Sequence, residues 1–374
     1  MSEAEKKSPP KRLTPADVLK GDSPLVLTAT LEPIVGDRFQ PAGFPEIGHV
    51  IYKAPRKDGS TENVCIVDSA ASMANHLETV CQRGAHDLDL VDELSGMPYI
   101  RCVTNKTKGQ TPEKDREVVV TSLTEGHRIA SSMFLDGKPL ENDSLADSTY
   151  AQRLVTKLGI EVPGSSKAHP PPEKWWDVFK TVFEADPNSL VHGVLFPQWQ
   201  IKIPRALTAH LEAFGAGRVD RSGVKFDKEL GPKSDKRVQA IFAVDDATAE
   251  SIRATFVLDV SLIRSLGRKK SEATLGLSER QQEFLVALAL WKIQKLLASP
   301  FRFRSGCHLR RTTLKSCEQE VEIEVNIAQA IKGAGLDKRP VTDVFWPREE
   351  LYRDGQADAA KSAEEDEASE ETEG

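Results

Sequence analysis

The feature that most constrains this sequence is a helical segment, residues 284–297, that is apolar on almost every side. The preceding residues Ser278-Glu279-Arg280-Gln281 have the pattern of a capping box, in which the Ser and Gln side chains satisfy free backbone N–H groups. Pro300 disfavours helical backbone just before it, so the helix must end there. A helix without a polar face has no side to turn to water, and we predict a central core element.

Strands and helices surround this segment without a regular βαβ rhythm. Apolar or alternating runs predict strands at residues 24–31, 62–67, 256–260 and 321–327. Helical spacing predicts helices at 144–159, 173–185 and 204–214, and another after Asp68 or Ser69, either of which can cap it. Strands separated by helices of uneven length indicate an α+β fold with insertions.

The two ends differ in composition from the body of the chain. Residues 1–20 are rich in Lys, Ser and Pro and predict a disordered charged arm, whereas 355–374 predict a disordered acidic tail. We expect one folded domain over residues 21–354. Two polar segments inside it, 104–117 and 215–236, have the composition of protruding loops.

The charge of the chain is unevenly distributed. The formal net charge is −7, and the last thirteen residues carry seven acids and no base, so the remainder is neutral. Residues 261–317 hold twelve Lys or Arg against three Glu. This split permits a basic face, although scattered solvated charges would give the same totals.

Signatures of several protein classes are missing from the sequence. There is no phosphate-binding loop, dinucleotide fingerprint, HExxH or GxSxG motif, and the eight histidines have no metal-ligand spacing, so we expect no cofactor, no metal and no catalytic site. Five cysteines without a close pair indicate reduced thiols. No apolar run approaches the length of a membrane helix, and the N-terminus has no secretory pattern, so we expect a cytoplasmic protein.

Two segments have the composition of a nucleic-acid contact. Residues 300–311 alternate aromatic and Arg residues, which predicts a strand with Phe301 and Phe303 inward and Arg302 and Arg304 outward, where guanidinium groups can grip phosphates. An edge strand protected by charge would have the same pattern. In the loop 36–48, Phe39 and Phe44 can either stack on bases or fill the core.

An ordered set of motifs resembles a known family. The motifs are RFQPAGFPEIG, VDSAASMANHLE, SLTEGHRIASSMF, IKIPRALTAHLEAFG, LVALALWKI and FRFRSGC. Over residues 25–335 the chain is similar to the Csb-type (GSU-type) backbone subunits of the type I-G (formerly I-U) CRISPR effector complex, in the Cas-seven group of the RAMP superfamily. Neither the charged N-terminal arm nor the acidic tail is part of this resemblance.

The resemblance implies a ferredoxin-like or RRM-like palm with an antiparallel sheet, large insertions and a hairpin thumb, for which 104–117 and 215–236 are both candidates. It implies copies stacked head to tail along guide RNA within a Cascade complex, with target DNA recognised through the guide and with other Cascade subunits as partners. The implied role is non-catalytic, in antiviral defence. The RNA-binding positions it suggests are Arg38, Gln40, Phe44, Ser69, Ser72, Asn75, His127, Arg128, Lys202 and Arg205, to which the basic strand adds Arg302 and Arg304.

Two other functions are compatible with the same sequence. A ribonuclease of the RAMP superfamily that processes guide precursors would need a histidine near a glycine-rich loop, and His127 is the candidate. An α+β metabolic enzyme unrelated to nucleic acid would need a cofactor motif that is missing from the sequence.

Overall fold

The computed structural model describes residues 9–44, 48–160, 168–219, 246–270, 273–337 and 341–351. For Phe44 the description covers the backbone and not the side chain. These residues divide into two compact units. The first unit takes the described residues within Met1–Val80, Ala206–Ser265 and Val286–Ile327, and the second takes those within Cys81–Arg205, Leu266–Leu285 and Ala328–Gly374. Both units contain helices and sheets, so the α+β class is confirmed.

The first unit is built on one large sheet with short helices beside it. The large sheet contains Lys11–Leu13, Leu25–Pro33, Ile51–Pro55, Thr61–Asp68, Leu207–Phe214, Ser251–Leu258, Phe301–Arg304, Cys307–Ser316 and Gln319–Ile323. Two further pairs of strands, Gly43–Phe44 with Gly48–His49 and Gly217–Val219 with Asp246–Thr248, form separate small sheets. The helices of this unit are Pro15–Lys20, Ala70–Thr79 and Val260–Ser265, and the helix Glu279–Leu296 contributes residues to both units.

The centre of this sheet has the strand order Cys307–Ser316, Leu25–Pro33, Ser251–Leu258, Leu207–Phe214, with every neighbouring pair antiparallel. Thr61–Asp68 and Ile51–Pro55 extend one side; Gln319–Ile323 and then Lys11–Leu13 extend the other. Successive side chains of a strand point to opposite faces, so Leu27, Ala29 and Leu31 are buried while their neighbours are half-exposed. The helix Ala70–Thr79 packs on the Leu207–Phe214 strand.

The second unit has a smaller mixed sheet, with the strand order Arg116–Thr121, Ile100–Asn105, Thr342–Phe345, Lys138–Glu141, Ser144–Leu145. The other strands of this unit pair two by two: Gln82–Gly84 with Asp87–Leu90, Val194–Phe196 with Ile201–Ile203, and Gly267–Lys270 with Ala273–Gly276. Its helices are Ser132–Leu135, Tyr150–Leu158, Trp175–Ala185, Asn188–His192, Arg348–Leu351 and most of Ile327–Gly333, with short 3-10 turns at Asp92–Leu94, Arg128–Ala130, Pro172–Lys174 and Pro197–Trp199.

An ion pair joins two parallel strands at the centre of this second sheet. Arg101 lies opposite Asp343, and its Nε and one terminal nitrogen donate to the two carboxylate oxygens at 2.7 and 3.0 Å. Its other terminal nitrogen donates to Asp89 at 3.0 Å. A bidentate guanidinium–carboxylate pair fixes both distance and orientation, so it holds the register of the two strands.

Several sequence-based predictions are confirmed. The long apolar helix spans Glu279–Leu296, with residues 284–290 fully buried. Its capping box is formed: the Ser278 N–H donates to Gln281 Oε1 at 2.9 Å, and the Gln281 N–H donates to Ser278 Oγ at 3.4 Å. The strands at 24–31, 62–67 and 256–260 and the helices within 144–159 and 173–185 are also present, with shifted ends.

Two predicted elements differ from the structure, one in its type and one in its extent. Residues 204–214 form the strand Leu207–Phe214, not a helix; Leu207, Ala209, Leu211 and Ala213 are buried on one face, which is a period of two. Ala, Leu and Glu favour helix intrinsically, and sheet pairing on both sides overrides that preference. The strand expected at 321–327 ends at Ile323, and a helix begins at Ile327.

Much of the expected N-terminal arm is ordered. Lys11–Leu13 pairs in parallel with Gln319–Ile323, and Thr14 caps the helix Pro15–Lys20 through its side chain. Leu13, Val18 and Leu19 are buried, and this burial stabilises a segment whose Lys- and Pro-rich start predicted disorder. Residues 1–8 and the acidic tail 355–374 lie outside the described residues.

The two predicted loops differ in how much of them the structure describes. Residues 104–117 connect the two strands of a hairpin, Ile100–Asn105 and Arg116–Thr121. The Asn105 side chain closes this loop: its Nδ2 donates to the Thr111 carbonyl oxygen, and its Oδ1 accepts from the Glu113 N–H. Of 215–236, only 215–219 are described, and Gly217–Val219 there pairs with Asp246–Thr248. Among the described helices none is long and apolar enough to cross a membrane.

Candidate nucleic-acid interface

The predicted RNA-binding residues fall into two groups, one in each unit. His127, Arg128, Lys202 and Arg205 lie in the second unit, and the other eight lie in the first. In the second unit the four residues line a single cavity of about 410 Å³, although 74 positions separate Arg128 from Lys202. We call this cavity the basic pocket.

A short ribbon forms one wall of the basic pocket. Ile201–Ile203 pairs with Val194–Phe196, and their alternation buries Ile201, Ile203, Val194 and Phe196. Lys202 is therefore turned to solvent, directly across from Leu195, which is 52 % exposed. The pocket wall thus presents one ammonium group beside one apolar side chain.

The opposite wall is a tight turn with Arg128 in left-handed backbone, at φ 53°. The Arg128 side chain is buried and donates to the Gly193 carbonyl oxygen at 3.3 Å. Gly193 itself has φ 81°, and a Cβ there would lie 3.0 Å from the Arg205 backbone nitrogen and the Ile203 carbonyl oxygen. Only glycine allows this approach without strain, so Gly193 sets the spacing between Arg128 and Arg205.

The charge of the basic pocket is positive. No Asp or Glu is among the described residues that line it, whereas Lys202 and Arg205 are exposed on its rim. The His127 side chain is 82 % exposed, and its Nδ1 lies 3.2 Å from Glu125 Oε1, outside the lining. Two exposed cations beside a buried guanidinium form a site that favours a phosphate group, because Lys and Arg supply charge-assisted donors.

In the first unit, Asp68 is the centre of a buried polar network. Its Oδ2 lies 2.9 Å from His76 Nε2, and its Oδ1 lies 2.8 Å from a terminal nitrogen of Arg304. The Ser69 N–H also donates to Oδ1, at 2.9 Å. Arg304 further donates to the carbonyl oxygens of Val67 and Gln40. We call these residues the Asp68 cluster.

The Asp68 carboxylate is ionised in this setting. Burial alone would raise its pKa, but the hydrogen bond with His76 and the charge of Arg304 bring the pKa below its ordinary value. Burial raises the pKa of the neighbouring Cys65 thiol to about 11 and that of Cys307 to about 12. These two thiols therefore stay protonated, and a protonated thiol is a weak nucleophile.

The geometry of the Asp68 cluster differs from that of a catalytic triad. Ser72 Oγ lies 3.3 Å from His76 Nε2, the same ring nitrogen that contacts Asp68. In a triad the carboxylate and the hydroxyl bind opposite ring nitrogens, so that the ring can pass a proton between them. The His76 ring also meets Phe301 and Phe303 edge-on, at 5.3 and 5.4 Å between centroids. The cluster therefore links a helix, a strand and a loop structurally.

The structure divides the first-unit candidates by accessibility. Ser69, one of the two predicted caps, caps the helix Ala70–Thr79: its side chain accepts a hydrogen bond from the Ser72 N–H at 3.2 Å. Asn75 and Arg302 are exposed, the latter bonded to Ser305 Oγ at 2.8 Å. The Arg38 guanidinium is mostly exposed and lies 3.7 Å from Asp246 Oδ2.

The prediction that the Arg304 side chain points outward is wrong. Its side chain is only 22 % exposed because a bulge between Arg302 and Arg304 breaks the alternation and turns it towards Asp68. Phe303 is buried as predicted, and Phe301 is half-buried. Gln40 contacts the same hairpin: its N–H donates to the Gly306 carbonyl oxygen at 3.0 Å.

Phe39 fills the core. It is 1 % exposed, and its backbone exchanges hydrogen bonds of 2.9 and 2.8 Å with Ala247. The other loop aromatic, Phe44, belongs to the strand Gly43–Phe44, and its side chain lies outside the described residues.

Asp68 and His76 did not emerge as candidates from the sequence. The available signal was an acid at the end of the apolar run 62–67, because a buried carboxylate needs a cation or several donors. Its cation comes from Arg304, more than two hundred positions away, which no local pattern reveals. No group of three or more His, Cys, Asp or Glu within the described ranges could hold a metal ion.

Comparisons with known proteins identify the family. No curated protein matches the chain. Among solved structures, the crystal structure of Thermofilum pendens Csc2 is similar at 10 % identity and a TM-score of 0.28, over 90 % of this chain and 75 % of that one. The family described as CRISPR-associated protein GSU0053 matches residues 25–218, more than half of the 374 residues. The chain therefore belongs to the CRISPR-associated protein GSU0053 family.

Proposed function

We propose that this chain is a non-catalytic backbone subunit of a type I-G Cascade complex that coats guide RNA in repeated copies. The observation that carries the proposal is the basic pocket, where His127, Arg128, Lys202 and Arg205 converge in a member of a CRISPR-associated family. The guide would then pair with target DNA, while neighbouring copies and other Cascade subunits complete a cytoplasmic assembly.

The chemistry of the basic pocket fits a phosphate backbone. Lys202 and Arg205 offer charge without a base-reading geometry, so binding to them is independent of sequence. The exposed Leu195 beside Lys202 adds an apolar surface for a sugar or a base face. A coating subunit needs this combination, since it must hold every guide while leaving the bases free to pair.

The sheet order of the first unit supports a ferredoxin-like palm. In chain order its central strands are Leu25–Pro33, Leu207–Phe214, Ser251–Leu258 and Cys307–Ser316, and in space they run fourth, first, third, second. An antiparallel sheet of that order is the ferredoxin-like arrangement, here with long insertions between strands. Segments 104–117 and 215–236 both remain candidates for the thumb.

The proposal extends to the exposed members of the first-unit group. Arg38, Asn75 and Arg302 have solvent-facing side chains and form the guide contacts we propose there. Gln40, Ser69, Ser72 and Arg304 make internal hydrogen bonds, and we propose that they shape this surface and contact RNA only through groups left free.

The test is light scattering after size exclusion with single-stranded RNAs of increasing length. We expect the mass to rise in whole protomers, with a fixed number of nucleotides for each added copy, and the RNA to be recovered intact. RNA shortened during incubation would favour the guide-processing ribonuclease instead. A protein that stays monomeric beside RNA at low salt would contradict the proposal.

A further inference from the structure

A separate basic element lies in the second unit. Gly267–Lys270 and Ala273–Gly276 form a two-stranded antiparallel sheet that joins no larger sheet among the described residues. Arg268, Lys269 and Lys270 follow one another on its first strand, and all three are exposed. We call this element the basic ribbon. None of the RNA-binding positions predicted from the sequence lies on it.

The basic ribbon carries positive charge on both faces. Successive side chains of a strand alternate, so Arg268 and Lys270 share one face and Lys269 lies on the other. Their cross-strand neighbours are Leu275, Ala273 and Thr274, none of which is charged. Within the described residues, none of the three cations forms an ion pair. Three adjacent cations without such partners repel one another, a cost that a polyanion would remove.

The base of the ribbon is held firmly. The Leu277 N–H donates to the Leu266 carbonyl oxygen at 3.0 Å, and Gln282 Nε2 donates to the Gly267 carbonyl oxygen at 3.2 Å. A Cβ on Gly267 would overlap the Leu277 carbonyl oxygen, so the two strands approach as closely as glycine permits. The helix Trp175–Ala185 packs against the second strand. A ribbon anchored in this way presents its cations in a fixed geometry.

The shape of the ribbon selects among polyanions. A two-stranded ribbon fits the B-DNA major groove, which is about 12 Å wide, whereas the major groove of A-form RNA is too narrow to admit one. Single strands are held in concave grooves, whereas the ribbon is a two-stranded element that joins no larger sheet among the described residues. Four residues per strand span about 13 Å, enough to reach phosphates on both sides of a major groove.

We infer that the basic ribbon binds double-stranded DNA directly and without sequence preference. The pocket proposed for guide RNA contributes nothing to this contact.

The experiment is fluorescence anisotropy of the full-length protein with a labelled mixed-sequence DNA duplex across a salt series. The logarithm of the affinity falls linearly with the logarithm of the salt concentration, and we call the steepness of this line the salt slope. The variant R268S/K269S/K270S removes three phosphate contacts, which lowers the salt slope by about 2.7. Between about 50 and 200 mM salt, wild-type affinity should therefore fall about 40-fold more than that of the variant. The matched control is K53S/K57S/K332S, which removes three exposed lysines from other elements and should behave as wild type.

Two further measurements make the outcome decisive. The charge-conserving variant R268K/K269R/K270R should retain duplex binding, which separates loss of charge from loss of fold. Binding of single-stranded RNA should be unchanged in the serine variant, so failure of the RNA-coating proposal would leave this result standing. Equal duplex binding by the serine variant and wild type, or an equal loss of RNA and duplex binding, would overturn the inference.

Discussion

The side chains that carry charge in this protein act in two different ways. In the basic pocket, Lys202 and Arg205 are exposed and available to a ligand. In the Asp68 cluster, Arg304 is committed to one carboxylate and two carbonyl oxygens. The amino-acid composition does not distinguish these residues. Only the contacts that each side chain makes in the fold show whether it is available to a ligand or holds the structure together.

The pocket cations can be tested directly. We expect K202S/R205S to weaken binding of single-stranded RNA and to lower the salt slope by about 1.4, because each phosphate contact on a single strand contributes about 0.7. Between about 50 and 200 mM salt this corresponds to about a sevenfold difference in the loss of affinity. A filter-binding titration measures it, with K53S/K57S as the control of equal charge. Matching slopes for the two double variants would argue against a phosphate site at this pocket.

The Asp68 cluster predicts a pH-dependent contribution to stability. Because the pKa of Asp68 is lowered in the folded protein, its stabilisation is fully present above the ordinary carboxyl pKa of about 4 and is lost as the pH falls through the lowered value. We expect D68N to lower the free energy of unfolding at neutral pH by about 2 kcal/mol, since charge-assisted hydrogen bonds are lost.

Urea unfolding at neutral pH and at about pH 3 tests this dependence. The difference between D68N and wild type should shrink at the lower pH, because there the Asp68 carboxyl is protonated in the unfolded chain, whose pKa is about 4. D22N, which alters an exposed acid, should match wild type at both values. A D68N deficit that stays constant with pH would show that packing, not charge, holds the cluster.

At the scale of elements, the sequence predicts best where one feature dominates. The helix Glu279–Leu296 combines a capping box with an unbroken apolar surface, and its type and limits followed directly. The strand Leu207–Phe214 was predicted as a helix because its residues favour helix, while its pairing with two distant strands decides the structure. The order of Lys11–Lys20 also depends on tertiary contacts, since its strand pairs with residues near 321.

The N-terminal elements offer a test of that conclusion. Removing residues 1–20 takes away an edge strand, the helix Pro15–Lys20 and three buried apolar side chains, each worth about 1.5–3 kcal/mol. It also removes the Leu19 carbonyl oxygen that accepts from Arg264 at 2.9 Å. We expect Tm to fall by about 10 °C or more.

Removing only residues 1–8 is the matching control, because it leaves the Lys11–Leu13 strand and the Pro15–Lys20 helix intact. That shorter deletion should melt as the full chain does. Differential scanning calorimetry of the three proteins measures the effect. Identical melting of all three would mean that the docked segment contributes nothing to stability.

At the scale of the whole molecule, the two units explain why the candidate sites were only partly predictable. Each unit is assembled from three separate stretches of the chain. The resemblance named His127, Arg128, Lys202 and Arg205 singly, but their meeting around one cavity depends on the fold of residues 81–205. The basic ribbon was visible only as part of a charge excess, because nothing local shows that Gly267–Lys270 stands apart from the larger sheets.

The strand order of the first unit also has a consequence for synthesis on the ribosome. Leu25–Pro33 emerges early, yet its two neighbours in the sheet are Ser251–Leu258 and Cys307–Ser316. A nascent chain therefore carries an apolar strand with two open edges until most of the protein has been translated. Such edges pair readily with other chains, so we expect this subunit to depend on chaperones during translation more than a protein whose sheet closes locally.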